Sequence, residues 1–290
     1  MYCIIYNPIA GAGRSAKAME TVRRHLMEKN VPFTVFETQY KEHAILLAKN
    51  AVGKGYKGII SVGGDGTLRE IASAIHGTDE TLGIIPAGTG NDFRVAVGVP
   101  KDPLQALEII LAGRKQRVDI GMLGDKYYFL NVAGTGFDVD VIKNTAKVRR
   151  WFTGGFAYFL GIFLSLFGYK CVNIDLTIDG KTYRRSILLV AIANGKCYAG
   201  GLQVAPHADP ADGLFNIVVI NRIANWRILF ELPKMKKGQL ERISVCEQFT
   251  GSELYIDADQ PLRFDLDGEV YGKTPIRIGV LPRALNVFCG

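Results

Sequence analysis

Disulfide chemistry has little to draw on in this chain. Its five cysteines, Cys3, Cys171, Cys197, Cys246 and Cys289, are scattered and odd in number, and none forms a CxxC pair. That argues against a disulfide scaffold and against a zinc site, and makes a reducing cytoplasm the expected setting. The opening Met1-Tyr2-Cys3-Ile4-Ile5-Tyr6-Asn7-Pro8 lacks a basic stretch and a long apolar run, so it does not read as a secretory signal. No internal repeat recurs at solenoid periods. Histidine is scarce, with four residues. His25 and His43 fall on helical patterns, His76 ends one and His207 lies in a turn, so none has a setting for acid–base work. No pattern supports a nucleophilic Ser or Cys.

What is present is a globular composition. The 290 residues and 31.8 kDa suffice for one large domain or two modest ones. Hydrophobic residues at 48%, charged residues at 22% and a mean hydropathy of +0.12 exclude a disordered or collagen-like chain. Thirty-three glycines against eleven prolines point to places where backbone must bend closely around something. The net charge of +7 and pI near 9.1 suit an anionic partner: nucleotide, nucleic acid or acidic lipid headgroups. No finger, basic-zipper or RNA-recognition signature is found, so nucleic acid is not expected as a partner.

The first part of the chain alternates strand and helix patterns. Strands are predicted at Cys3–Tyr6, Phe33–Glu37, Gly58–Val62 and Leu82–Ile85. Helices are predicted from about Ser15 to Lys29, from Glu42 to Ala51, from near Thr67, and over Asp102–Ala112. That rhythm indicates a parallel sheet covered on both faces. After Gly121 the pattern becomes mainly antiparallel β, with strands at Tyr127–Val132, Val172–Ile178, Thr182–Ala193, Phe215–Asn221, Leu254–Asp257 and Leu262–Leu266. Two helices interrupt them, Phe152–Phe167 and roughly Asn225–Lys236. The expected division is 1–121, with 284–290 returning to it, and 122–283.

Three glycine-rich segments each follow a predicted strand: Asn7-Pro8-Ile9-Ala10-Gly11-Ala12-Gly13-Arg14, Gly63-Gly64-Asp65-Gly66-Thr67 and Pro86-Ala87-Gly88-Thr89-Gly90-Asn91-Asp92-Phe93. Loops at the carboxyl ends of parallel strands line the ligand crevice, and glycines there let amides approach phosphate oxygens. Each segment alone could be a tight turn; three in series predict a phosphate cradle. A carboxylate at such an edge, Asp65, would repel a phosphate unless a cation stood between them, which suits a Mg²⁺ role; the plainer alternative is a helix cap. Gly11-Ala12-Gly13-Arg14-Ser15-Ala16 also fits a dinucleotide fingerprint with Glu37 as ribose acid. Asn7-Pro8 intervenes before its glycines, however, and that reading leaves the other two loops unexplained. A Walker A loop is absent, since Gly180-Lys181-Thr182 and Gly272-Lys273-Thr274 lack the upstream glycine.

Together, the three ordered blocks resemble the diacylglycerol kinase catalytic domain family. With the chain length and the late Asp267-Gly268-Glu269, the resemblance extends over nearly the whole chain to the bacterial soluble lipid kinases of the DgkB/YegS type. Gly-Gly-Asp-Gly-Thr by itself is shared with NAD kinases. The resemblance implies an α/β fold with an NAD-kinase-like open parallel-sheet domain, a mainly antiparallel β-sandwich domain and an active site in the cleft between them. It implies transfer of the γ-phosphoryl group of ATP, with Mg²⁺, to diacylglycerol or a related lipid alcohol. By position it implies nucleotide contacts at Asn7, Pro8, Ala10, Gly11, Thr38, Gly63, Gly64, Gly66, Thr67, Glu70, Gly88, Thr89, Asn91 and Asp92. It implies Asp65 as a catalytic carboxylate, Glu269 as proton acceptor, and a structural Mg²⁺ at Asp209, Asp212 and the backbone of Leu214. An ordinary Asp-Gly turn is the alternative at each of the last two places. Whether Arg14 touches phosphate stays open.

Trp151–Tyr169 contains no charged residue and is flanked by Lys143, Lys147, Arg149, Arg150 and Lys170. Its four glycines argue against a membrane span. Phe152, Phe156, Phe159, Phe163 and Phe167 recur on one helix face, either as a core stripe or as a surface for acyl chains and anionic headgroups. Lys234-Met235-Lys236-Lys237 reads as a solvated helix end with a second membrane hint. The expectation is a cytoplasmic, peripherally membrane-associated enzyme, with a homodimer left open. NAD kinase, a non-catalytic nucleotide or lipid sensor, and a dehydrogenase are the competing readings.

Overall fold

The computed structural model describes residues 1–148, 154–166 and 168–290, and for residues 154–158 and 225 the backbone alone. Two compact units emerge. One comprises Met1–Ile120, Pro210–Asp212 and Leu281–Gly290; the other comprises Gly121–Asp209 and Gly213–Val280.

The first unit runs β1 (Tyr2–Tyr6), α1 (Arg14–Glu28), β2 (Phe33–Glu37), α2 (His43–Ala51), β3 (Ile59–Gly63), α3 (Asp65–Ile75), β4 (Thr81–Pro86), a single turn α4 (Phe93–Ala96), α5 (Pro103–Ala112) and β5 (Lys115–Leu123), whose last residues pass into the second unit. The strands lie in the order β4-β3-β1-β2, all parallel, with Cys3 opposite Ile59, Tyr2 opposite Phe33 and Ile59 opposite Leu82. Both β3 and β4 are buried throughout, because helices cover the sheet on each side. Each fully buried Ile or Leu there contributes about 1.5–3 kcal/mol. In α1, Ser15, Ala18, Met19, Val22 and Leu26 recur every three or four residues and supply the buried face. Asp102 caps α5 by accepting the amides of Leu104 and Gln105, both at 3.0 Å, with Pro103 in the first turn.

The second unit contains β6 (Tyr127–Phe129), β7 (Val132–Gly136), α6 (Phe137–Val148), α7 (Gly154–Leu166), β8 (Val172–Ile178), β9 (Lys181–Ala193), β10 (Phe215–Asn221), α8 (Ile228–Lys236) after a 3-10 turn at Asn225–Arg227, β11 (Cys246–Gly251), β12 (Glu253–Ala258), β13 (Phe264–Leu266), β14 (Glu269–Tyr271) and β15 (Ile276–Phe288). Its pairings are antiparallel: β14-β13-β7-β9-β8-β12-β15, with β10 on β9 and β11 on β10. The last residues of β15 belong to the first unit, where Asn286 and Val287 pair in parallel with Thr81 and Leu82 of β4.

Alternate residues of β9 and β10 feed two cores. Leu189, Ala191, Val218 and Ile220 pack with Phe137, Ile162, Ile228 and Met235 of the helices. Val190, Ile192, Ile217 and Val219 pack with Ile174, Leu176, Leu254, Phe264 and Ile278 of the other strands. Both faces are buried, which is why β9 and β10 read as unbroken apolar runs.

Two expectations for this half need correcting. A third helix, α6, stands where none is predicted. The single strand expected over Tyr127–Val132 is two strands, because the Leu130 and Asn131 amides turn away to a side chain described below.

Candidate active site

Because β1, β2, β3 and β4 are parallel, the segments after them share one edge of the sheet, and the chain changes direction across that sheet between β1 and β3. Such a switch point is where an open α/β sheet presents a crevice. The three glycine-rich segments meet there. Asn7 Nδ2 donates to Thr67 Oγ1 at 3.1 Å, joining the loop after β1 to the first turn of α3. The N-cap position of α3 is Gly64, not Asp65. Asp65 begins α3, and its carboxylate accepts the amides of Asn91 (2.6 Å) and Asp92 (3.0 Å) from the loop after β4.

Asn91 closes that clasp from the other side, at a backbone φ of 58°. Its Oδ1 accepts the Gly88 amide at 2.7 Å, and its Nδ2 donates to the Gly63 carbonyl at 3.1 Å. The approach is too close for side chains: a Cβ on Gly88 would lie 2.4 Å from Gly64 Cα, and one on Gly11 would lie 2.1 Å from the Ala87 carbonyl oxygen. Arg14, left open by the sequence, ties the first and third loops together. It donates from Nε to the Gly11 carbonyl at 2.9 Å and from its terminal nitrogen to Thr89 Oγ1 at 3.3 Å. Helices α1 and α3 start directly behind two of these loops and add the positive potential of their N-termini. Pro8, Ala10 and Gly66 belong to the same loops.

Two residues singled out from the sequence hold structure around this edge. Thr38 continues the β1–β2 ladder, its amide donating to the Tyr6 carbonyl at 2.9 Å. Glu70 is buried and accepts the Glu42 and Ala44 amides at 3.1 and 3.2 Å, anchoring the start of α2. A 3-10 turn, Ala10–Gly13, separates β1 from α1. The strand therefore does not turn directly into the helix as the dinucleotide fingerprint requires.

In the second unit, Asp267 organises the turn that carries Glu269. Held at φ 51°, it accepts the amides of Leu130 (2.8 Å), Asn131 and Val132 (both 3.0 Å), while Gly268 donates to Asp265 at 2.7 Å. Those bonds split the expected strand at residues 130–131. Glu269 opens β14 partly buried, and its carboxylate accepts the Tyr271 hydroxyl, whose ring packs on Tyr127 at 5.0 Å. Neither Asp267's three amides nor Tyr271 was visible in the sequence; two residues' spacing along a strand, which puts 269 and 271 on one face, was the available signal for the latter.

The segment Ala208–Leu214 is divided between the units, with Pro210–Asp212 in the first and Asp209 and Leu214 in the second. The Asp119 amide holds the Pro210 carbonyl at 2.6 Å. Among the described residues, no three His, Cys, Asp or Glu side chains gather as a metal cluster. The donor set of Asp209, Asp212 and the Leu214 carbonyl is all oxygen, which fits a hard cation such as Mg²⁺.

The helical side of the second unit encloses an apolar cavity of about 40 Å³, walled by α6, α7, α8, β9 and β10 through residues including Phe137, Ile162, Leu188, Ile228 and Met235. Asp138 contributes to that wall. It is buried, its Oδ1 accepts the Val139 amide at 2.8 Å, and its Oδ2 has no hydrogen-bond partner among the described residues. Burial pushes its carboxyl up to about 7. The sequence signal for it is an acid, Asp138, set between the apolar residues Phe137 and Val139. In α7, Ile162, Ser165 and Leu166 face inward, whereas Phe159, Phe163 and Leu164 are exposed. The two described phenylalanine side chains of the stripe thus lie outside the core. Arg149, Arg150, Trp151, Phe152 and Phe167 lie outside the described residues, as does the side chain of Phe156. No described helix is long and apolar enough to cross a membrane.

Comparison with known proteins identifies the family. Residues 1–123 match the diacylglycerol kinase catalytic domain, and residues 131–289 match the YegS C-terminal NAD kinase beta sandwich-like domain. A protein named diacylglycerol kinase from Mycobacterium tuberculosis is 29% identical over 287 residues, covering 97% of this chain and 92% of its own. One of the same name from Staphylococcus aureus is 28% identical, covering 98% and 91%. The crystal structure of a putative diacylglycerol kinase from Bacillus anthracis superposes with a TM-score of 0.82 at 24% identity, covering 100% of this chain and 97% of that one, and shares the fold. The chain belongs to the diacylglycerol kinase family, carrying the catalytic domain of these ATP-dependent lipid kinases followed by their β-sandwich-like domain.

Proposed function

We propose that this chain transfers the γ-phosphoryl group of Mg·ATP to the hydroxyl of diacylglycerol or a related lipid alcohol, acting as a cytoplasmic enzyme at the membrane surface. The observation that carries the reading is the clasp of three loops at one sheet edge, held by Asn7–Thr67, Asp65–Asn91–Asp92 and Arg14–Thr89. Backbone amides and helix N-termini at such an edge suit a polyphosphate, and the cation that accompanies ATP neutralises charge on it. Asn7, Pro8, Ala10, Gly11, Thr38, the Gly63–Thr67 loop, Glu70 and the Gly88–Asp92 loop are the nucleotide-side residues of this proposal. Asp65 acts there by holding two loops in register.

An aliphatic hydroxyl is too weak an acid to ionise before attack, so its proton must leave as the new O–P bond forms. Glu269 takes that proton; the bond from the γ-phosphorus to the bridging oxygen breaks, and ADP departs. Tyr271 holds the Glu269 carboxylate in one orientation. Asp209, Asp212 and the Leu214 carbonyl would hold a structural Mg²⁺. Exhaustive chelation followed by thermal melting tests that site: Asp212→Ala should remove the Mg²⁺-dependent rise in Tm.

The deciding assay uses labelled ATP with diacylglycerol in mixed micelles. Wild-type protein should phosphorylate the lipid, and both Asp65→Ala and Glu269→Gln should lower kcat by at least about a hundredfold. Full activity in both variants would reject the assignment of these residues, and activity on soluble NAD without lipid would reject the substrate class.

A further inference from the structure

We propose that the turn Asn225–Arg227 together with α8 is a docking element for an anionic bilayer, with Trp226 and Phe230 as its anchors and Arg227, Lys236 and Lys237 contacting headgroups. The inference takes its purpose from the lipid-kinase reading, while its test does not depend on catalysis.

The segment has two distinct faces. Ile228, Glu231, Leu232 and Met235, spaced by three and four residues, line the apolar cavity. Trp226 and Phe230, four residues apart, turn the other way and are 65% and 66% exposed, their rings meeting edge-to-face at 5.9 Å. A helix end in water ordinarily carries polar side chains there. Seven large apolar side chains are exposed among the described residues of this unit, and five of them, Phe159, Phe163, Leu164, Trp226 and Phe230, sit on α7 and this segment. Both helices wall the same cavity.

Charge selects the occupant. Arg222, Arg227, Lys236 and Lys237 flank the aromatic pair along the chain and are exposed. The acid of α8, Glu231, is turned inward and paired with Lys234 at 2.6 Å, so it does not offset them. Exposed aromatic anchors flanked in sequence by exposed cations complement a surface of acyl chains under anionic headgroups. The cavity behind α8 is too small for an acyl chain, holding space on the order of three water molecules. A lipid tail enters only when a wall moves. Pro233 lacks the amide that would bond the Leu229 carbonyl, so the ladder of the wall helix is interrupted at that point.

The test measures partitioning of the full chain, without ATP, onto vesicles of phosphatidylcholine alone or mixed with phosphatidylglycerol. Wild type should prefer the anionic vesicles. Trp226→Ala combined with Phe230→Ala should weaken that binding by roughly tenfold, and Lys236→Glu with Lys237→Glu by about fivefold per cation at low salt. In a Trp151→Phe background, brominated lipid should quench Trp226 fluorescence. Both double variants should keep the wild-type melting curve and phosphorylate a short-chain, monomerically dispersed diacylglycerol at the wild-type rate. Unchanged vesicle binding in both would overturn the proposal. So would conversion of a dimer to a monomer by the aromatic variant, which would assign the face to a second copy of this chain. Anionic-vesicle binding that depends on Trp226 and Phe230, with no lipid phosphorylated by wild type, would uphold the docking element and reject the lipid-kinase reading instead.

Discussion

Asp138 shows what a single buried group costs. Its folded-state carboxyl titrates at about 7 because burial penalises the charge, against 3.8 in the unfolded chain. Below pH 3.8 both states are protonated and the full stability is present. As pH rises towards 7 the unfolded chain ionises first, so stability is lost over that window, by roughly 4 kcal/mol at most. Asp138→Asn cannot ionise. Urea denaturation midpoints for the variant should therefore change less between pH 5 and pH 8 than those of wild type, even if the added amide lowers both. At Glu269 the hydrogen bond from Tyr271 is a local lever. Tyr271→Phe removes a donor that favours the charged carboxylate, so the acidic limb of the pH–rate profile should move to higher pH, with kcat at neutral pH falling several-fold and ATP affinity unchanged.

Elements in this protein are joined by side chains that serve backbone groups elsewhere. Asp267 satisfies three amides of the segment between β6 and β7. Asp267→Ala should cost about 3 kcal/mol in urea unfolding, because three partly buried donors lose their acceptor at once. At the loop clasp, Gly88→Ala forces a Cβ onto Gly64. Overpacking of about 1–3 kcal/mol is expected there, with ATP binding weakened roughly tenfold in calorimetry. The strand over Phe215–Asn221 and the helix over Asp102–Ala112 were legible from their apolar patterns. Helix α6 was not: Asp138, Val139, Asp140 and Val141 alternate with the period of a strand, and only packing against α7 and the sheet selects the helix.

At the scale of the whole molecule, the chain returns to its beginning. Asn286 and Val287 complete the β4 edge, the Cys289 amide donates to the Arg114 carbonyl at 3.1 Å, and the Gly290 amide donates to the Val97 carbonyl at 3.1 Å. A fragment ending at Ile120 would leave the β4 edge unpaired and remove Phe288 from the core. That fragment should aggregate on expression, whereas co-expression with residues 121–290 should restore solubility; a soluble, cooperatively melting fragment would contradict this.

Local chemistry in the sequence was enough to determine the alternating first half, the strand-rich second half, the three loops and their family, because strand periods, glycine spacing and motif order are properties of neighbouring residues. Tertiary structure decided the rest. That Asp65 serves the Asn91 and Asp92 amides, that Asp267 collects three amides from a segment more than a hundred residues earlier, and that Asp138 is buried against an apolar cavity all depend on partners far away along the chain. A carboxylate's role is set by which donors surround it in space, and sequence neighbours do not specify those.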